Sequence, residues 1–143
     1  MTFYFHNNKR KQLPTPIVRR LPLAKETWEV METYHYLLHN EEIITIKKGY
    51  RFDGASVPRL FWTLVISPME IVASALIHDA WYDAELGDRK AGDQLLRETM
   101  YLEGASDFQQ VCVYWAVRLF GGFCWNRHTP ESIAEARKYV KIS

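Results

Sequence analysis

The chain of 143 residues is 48% hydrophobic and 14% aromatic, with a formal net charge of +1. Those values suit one globular domain with a sizeable core and exclude a disordered chain. No apolar run approaches the roughly 20 residues that a membrane-spanning helix needs.

At the N-terminus, MTFYFHNNKRKQLPTP places its aromatics ahead of its bases with no apolar core, which predicts no signal peptide. Lys9, Arg10, Lys11, Arg19, Arg20 and Lys25 fall in the first 25 residues without an acid, and the remainder carries 12 bases against 17 acids. The chain therefore reads as a basic, proline-punctuated arm over residues 1–26 and one domain over residues 27–143. Such an arm can lie on phosphate, lipid or nucleic acid, or simply stay solvated. No zinc finger, RNA-recognition signature or basic helix follows, so nucleic acid is not the expected partner.

The next stretches, TWEVMETYHYLL and IITIKKGYRF, are rich in β-branched and aromatic residues, and HNEE between them supplies a turn. That predicts a β-hairpin over Thr27–Arg51. The period then changes. Ser67-Pro68-Met69-Glu70 has the form of a capping box with proline at the first helical position. The helix it opens would carry Ile71, Val72, Ala75, Leu76, His78, Asp79 and Tyr82 before Gly87 ends it. Asp88 can cap a second helix, RKAGDQLLRETMYLE, closed by Gly104. Ser106 with Gln109 opens QQVCVYWAVRLF, which Gly121-Gly122 would stop, and Thr129-Pro130 opens ESIAEARKYV. The expected fold is α+β and mostly helical, a β-hairpin followed by about four helices. Cys112 and Cys124 lack metal-ligand spacing and sit in apolar text, so they read as reduced core thiols in a host cytoplasm.

Three clusters carry possible chemistry. Asp53-Gly54-Ala55-Ser56 follows the hairpin, and its tight turn can bring a carboxylate and backbone carbonyls together, a donor set that suits calcium. It is equally an ordinary turn. His78 and Asp79 point about 100° apart on their helix, so they serve different partners, while Tyr82 lies over the same face. A plain reading gives His78 a backbone carbonyl and Asp79 an arginine. Arg89, Asp93 and Arg97, at i, i+4 and i+8, can be surface pairing. Alternatively, an antiparallel packing presents Asp93 to His78 and raises its basicity. Combined, the clusters fit one mechanism. Asp53, Asp79 and turn carbonyls hold a cation, and His78, oriented by Asp93, deprotonates a water that attacks an ester.

The stretch ITIKKGYRFDGASVPRLFW…ALIHDAWYDAELGDRKAGD…YWAVRLFGG resembles a family of small phage and prophage proteins, DUF1353, over about Trp28–Gly122. The resemblance implies a viral or prophage origin. The ordered pattern D-G-x-S…H-D-x-x-Y…R-x-x-x-D is also similar to phospholipases A2, over some 40 residues. That resemblance implies His78 as general base, Asp79 and Asp53 as calcium ligands beside Gly54, and Asp93 supporting His78. Tyr82 is expected in the catalytic group with His78 and Asp93, and Ser56 and Arg89 in support of it. The secreted relatives carry a disulfide where this chain has Ala55 and Ala75, and their glycine-rich calcium loop is absent. The expected function is a calcium-dependent ester hydrolase acting on glycerophospholipid, its basic arm and exposed aromatics such as Trp62 favouring a membrane surface. The competing expectation is a non-catalytic phage protein that docks on a virion component or a host factor. A metal-dependent HD phosphohydrolase would need His35 or His39, which fall on a predicted strand and turn.

Overall fold

The computed structural model describes residues 13–23 and 25–143. Lys9, Arg10 and Lys11 of the basic arm lie outside the described residues. In chain order the elements are β1 (Val18–Arg20), β2 (Trp28–Val30), β3 (Tyr34–Leu37), β4 (Ile43–Ile46), β5 (Arg51–Phe52), α1 (Arg59–Leu64), α2 (Val72–Ala84), α3 (Arg89–Leu102), α4 (Asp107–Trp125), α5 (Pro130–Ala136) and β6 (Val140–Ile142). The class is α+β. The strands form two antiparallel sheets of three, in the orders β1-β2-β5 and β3-β4-β6.

The expected hairpin exists at its tip, where Tyr34 faces Ile46 and Tyr36 faces Ile44 with all four side chains buried. Its long arms each break into two strands that join different sheets. The break follows Gly49, whose φ of +96° turns the chain so that its N–H donates to the Val30 carbonyl at 2.8 Å. Arg19 of the basic segment lies in β1 opposite Glu29 of β2, and the two form an ion pair at 2.7 Å.

Helix α2 is the centre of the molecule. All but one of its residues are buried, so its sequence has little polar face. Helix α3 packs antiparallel to it, as the pairs His78–Asp93 and Ser74–Glu103 show. The expected start at Ser67 is displaced: the Glu70 carboxylate accepts the Ser67 N–H and the Ser67 hydroxyl accepts the Met69 N–H, but these bonds close a separate turn, and α2 begins at Val72. Its N-terminus is capped from a distance. The Glu103 carboxylate, just past α3, accepts the N–H groups of Ala73 at 3.2 Å and Ser74 at 2.5 Å.

The expected end at Gly87 is also wrong. α2 stops at Ala84, with Glu85 in the left-handed region at φ 44°. Tertiary contacts hold this non-glycine there: Arg137 donates to the Ala84 carbonyl at 2.8 Å, and the Glu85 carboxylate meets His128 at 3.2 Å. The caps at Asp88, Ser106 and Thr129 and the glycine at Gly104 form as expected.

Two further corrections concern α4 and the C-terminus. α4 runs through Gly121-Gly122 to Trp125. Gly121 serves close approach instead, since a Cβ there would lie 2.6 Å from the Tyr82 hydroxyl. The last helix ends at Ala136, because Val140–Ile142 alternates as a strand and pairs with β4. The six-residue α1 was not expected from the sequence. Both cysteines are free and half-buried, not core.

Gly92 shows how tightly α2 and α3 meet. A Cβ at this helical position would lie 2.5 Å from the Trp81 ring, a rigid neighbour. Alanine favours helix by about 1 kcal/mol over glycine, yet overpacking costs roughly 1–3 kcal/mol. Gly92→Ala is therefore expected to lower the urea midpoint, whereas Gly104→Ala has open space and suffers only from its φ of +90°.

Candidate functional site

The turn 53–58, helix α2, helix α3 and helix α4 meet at one buried polar cluster. Ser56 Oγ lies 3.0 Å from His78 Nδ1, and His78 Nε2 lies 2.8 Å from Asp93 Oδ1. The Tyr82 hydroxyl, one helical turn after His78, donates to the same Asp93 oxygen at 2.6 Å. Arg118 Nη1 of α4 donates to Asp93 Oδ2 at 2.8 Å, with Arg89 Nη1 3.6 Å from it. Arg89 is held by the Val117 and Arg118 carbonyls at 2.9 and 3.2 Å. The relative exposure is 5% for Ser56, 1% for His78, 6% for Asp79 and 0% for Asp93, so bulk water is kept from the Ser56–His78–Asp93 bonds, while the side chains of Arg89 and Arg118 stay partly exposed.

The electrostatics assign the protons. Burial pushes the Asp93 carboxyl up, but the hydrogen bonds from His78 and Tyr82, the His78 charge and the Arg118 bond outweigh it and hold Asp93 below its ordinary value. An ionised Asp93 accepts from Nε2–H of His78, which leaves the Nδ1 lone pair facing the Ser56 hydroxyl. In the familiar Ser-His-Asp triad the ring is used the other way round, with Nε2 toward serine. Either nitrogen can act as a base.

Asp79 turns away from this pair, as its helical position requires. Its Oδ2 accepts the backbone N–H groups of Gly54 at 2.7 Å and Asp53 at 3.2 Å, and Oδ1 lies 3.4 Å from Ser56 Oγ. Burial drives the Asp79 carboxyl well above its ordinary value, the charges of Asp83 and Asp53 add to this, and the two N–H bonds offset it only in part. Asp53 points elsewhere: its Oδ2 pairs with Lys25 at 2.6 Å and its Oδ1 accepts the Ala55 N–H at 2.9 Å. The Gly54 carbonyl accepts the Trp62 indole N–H at 3.2 Å, and Trp62 is half-buried over the turn, not exposed as expected.

The structure thus brings Ser56, His78, Tyr82, Asp93 and Arg89 into one network and sets Asp79 and Gly54 against it. The Asp53 side chain faces Lys25. Arg97 lies apart, its guanidinium 5.8 Å from the Tyr114 ring. His35 and His39 are remote, bonded to Thr45 and Glu98. Arg118 was missed by the sequence reading. Its signal was a lone base in the apolar run YWAVRLF, which needs a partner if that face is covered.

The calcium implied by the phospholipase resemblance does not fit these donors. Where a cation would require oxygens, the turn offers Asp79 two N–H groups, and the Lys25 ammonium occupies Asp53. Among the described residues no group of three or more His, Cys, Asp or Glu side chains is placed to hold a metal, and no helix is long and apolar enough to cross a membrane.

Comparison with other proteins adds relationship without activity. The chain is 32% identical over 80 residues to an uncharacterized protein, y4jT, of Sinorhizobium fredii (strain NBRC 101917 / NGR234), a match covering 53% of this chain and 23% of that protein. The chain thus spans under a quarter of that relative's length. No solved structure matches. Residues 28–117, which hold all of the cluster except Arg118, match the model of one family, and the chain belongs to it: Protein of unknown function (DUF1353).

Proposed function

We propose that the protein is an ester hydrolase in which His78 is the general base and Ser56 the nucleophile, with glycerophospholipid as the substrate class. The observation that carries this reading is the unbroken chain from Ser56 Oγ through His78 to Asp93, at 3.0 and 2.8 Å. Ser56 passes its hydroxyl proton to His78 Nδ1 as Oγ bonds to the ester carbonyl carbon. Asp93 stabilises the resulting imidazolium through Nε2–H, and Tyr82 and Arg118 hold Asp93 in place. The imidazolium returns the proton to the departing alkoxide. Water then attacks the acyl-serine, gives a proton back through His78 to Ser56, and releases the acid. No step runs through a metal.

Substrate reaches this pair from the outer side of the turn 53–58, which lines a cavity of about 470 Å³ together with Trp28 and Trp62. Ser56 does not line the cavity while its neighbours in the turn do, so substrate entering there must displace Ala55 and Val57 to reach the Ser56 hydroxyl with Ser56 still held at His78. The test is labelling with a fluorophosphonate probe, read by mass spectrometry, beside fatty-acid release from mixed phospholipid vesicles. The expected result is an adduct on Ser56, with release falling at least ~100-fold in Ser56→Ala and His78→Gln. Absence of both adduct and fatty acid in the wild type overturns the proposal.

A second reading is favoured by the burial of the cluster, in which every buried side-chain nitrogen and oxygen among the described residues has a partner. In that reading the network is a polar clamp in a non-catalytic accessory protein, which in a phage setting docks on a virion component or host factor. His78→Gln then lowers the melting temperature and alters no hydrolysis.

A further inference from the structure

We propose that the outer face of α1 and α4 is a docking surface for an anionic lipid bilayer. Of α4, Phe108, Val111, Trp115, Leu119 and Phe123 are exposed, by 72%, 39%, 55%, 67% and 68%. Their spacing of three or four residues puts them on one stripe along the helix. The opposite side of α4, with Val113, Ala116 and Val117, is buried, so the stripe is not core in disguise. Helix α1 packs on α4 and adds Leu60 and Leu64, exposed by 63% and 72% at an i, i+4 spacing. Eight of the twelve large apolar side chains exposed among the described residues lie on these two helices. Clustering of that kind marks a binding surface and not scattered exposure.

Charge selects the occupant. From Phe108 to Pro130 the sequence contains no acid, and α1 contains none. Arg59, Arg97 and Arg127 are exposed near these helices, and none has a carboxylate partner among the described residues. A second copy of the chain meeting this face by a two-fold axis would set the same arginines against one another. Aromatic and leucine side chains with arginines alongside, and a single acid, Asp107, at the N-terminal end of α4, instead match the headgroup–acyl boundary of an anionic membrane. The inference rests on this face alone and does not depend on the hydrolase reading.

The test uses the full chain with vesicles of phosphatidylglycerol and phosphatidylcholine, and with phosphatidylcholine alone. The wild type is expected to co-sediment with the mixed vesicles at least tenfold more tightly than with the neutral ones. The exposed double variant Leu119→Glu/Phe123→Glu should lose at least tenfold of that binding while keeping the wild-type melting temperature. His78→Gln should bind as the wild type does, which separates docking from hydrolysis. Failure of the wild type to sediment with anionic vesicles overturns the proposal, as does equal binding by the double variant. A wild-type dimer in sedimentation equilibrium that the double variant dissociates also overturns it, by assigning the face to a second copy.

Discussion

Asp93→Asn is expected to cost the folded state about 3 kcal/mol, the scale for removing one partner of a buried charge pair. At roughly 3 °C per kcal/mol for a chain of this size, thermal unfolding at pH 7 should move down by about 10 °C. The carboxylate accepts from three groups on two helices, His78 and Tyr82 of α2 and Arg118 of α4, while Asp93 itself belongs to α3, so it ties three helices together. An amide has one acceptor oxygen for these donors and turns its own N–H groups toward the rest. Arg118 and Arg89 are then left facing a neutral group. Tyr82→Phe removes one donor and should cost only about 1 kcal/mol.

The pH dependence supplies an independent check of the same residue. The folded value of Asp93 lies below the ordinary carboxylate value. Its contribution is therefore complete above that ordinary value, about 3.9, and is lost as pH falls through the lower folded value. The gap between wild type and Asp93→Asn should be full at neutral pH and close on acidification. A loss under about 1 kcal/mol at pH 7 would mean that the arginines find other acceptors and that Asp93 is not the centre of the network.

Much of this network was legible because helical geometry is local. The separation of His78 and Asp79 by about 100° demands two partners. An antiparallel neighbour four residues away through Glu85–Asp88 makes Asp93 the natural one for His78. What the sequence could not show is which backbone groups a turn presents. The Asp53-Gly54 pair suggests a source of carbonyl oxygens, yet it turns N–H groups toward Asp79 and gives its Gly54 carbonyl to Trp62. Likewise nothing in the sequence distinguishes Ser56 from a supporting residue, although its hydroxyl fills the space at Nδ1 that the expected mechanism gives to a water.

The two misread ends of α2 share one cause. Local signals at Ser67 and Gly87 are present, but α2 is covered on all sides and its ends are set from elsewhere. Glu103 caps its start, and Arg137 and His128 hold its finish. Gly87 and Gly121 are glycines for a packing reason. A Cβ at Gly87 would lie 2.6 Å from the Trp81 ring, and one at Gly121 equally close to Tyr82. Close approach and chain reversal select the same residue, and only the neighbour distinguishes them.

Asp79→Asn should act in the direction opposite to Asp93→Asn. The folded value of Asp79 is raised, by burial first and then by Asp83 and Asp53. A raised group contributes its stability below the unfolded value and loses it as pH rises through the folded value. The wild type therefore carries a penalty at pH 8 that it does not carry at pH 4. An asparagine keeps the geometry: its carbonyl accepts the Gly54 and Asp53 N–H groups, and its amide faces Ser56 Oγ, which still donates to His78. We expect the variant to be more stable than wild type by about 1 kcal/mol at pH 8, and indistinguishable from it near pH 4, in urea unfolding at both values. Glu103 is also raised, but it remains in both proteins and cancels in the difference, whereas Asp83, which repels Asp79, is relieved by the same substitution and adds to the gain. A loss of more than about 1 kcal/mol at pH 8 would reverse the assignment. It would mean that the N–H groups of the turn hold an ionised Asp79 beside Ser56, the anion that would favour a charged imidazolium at His78.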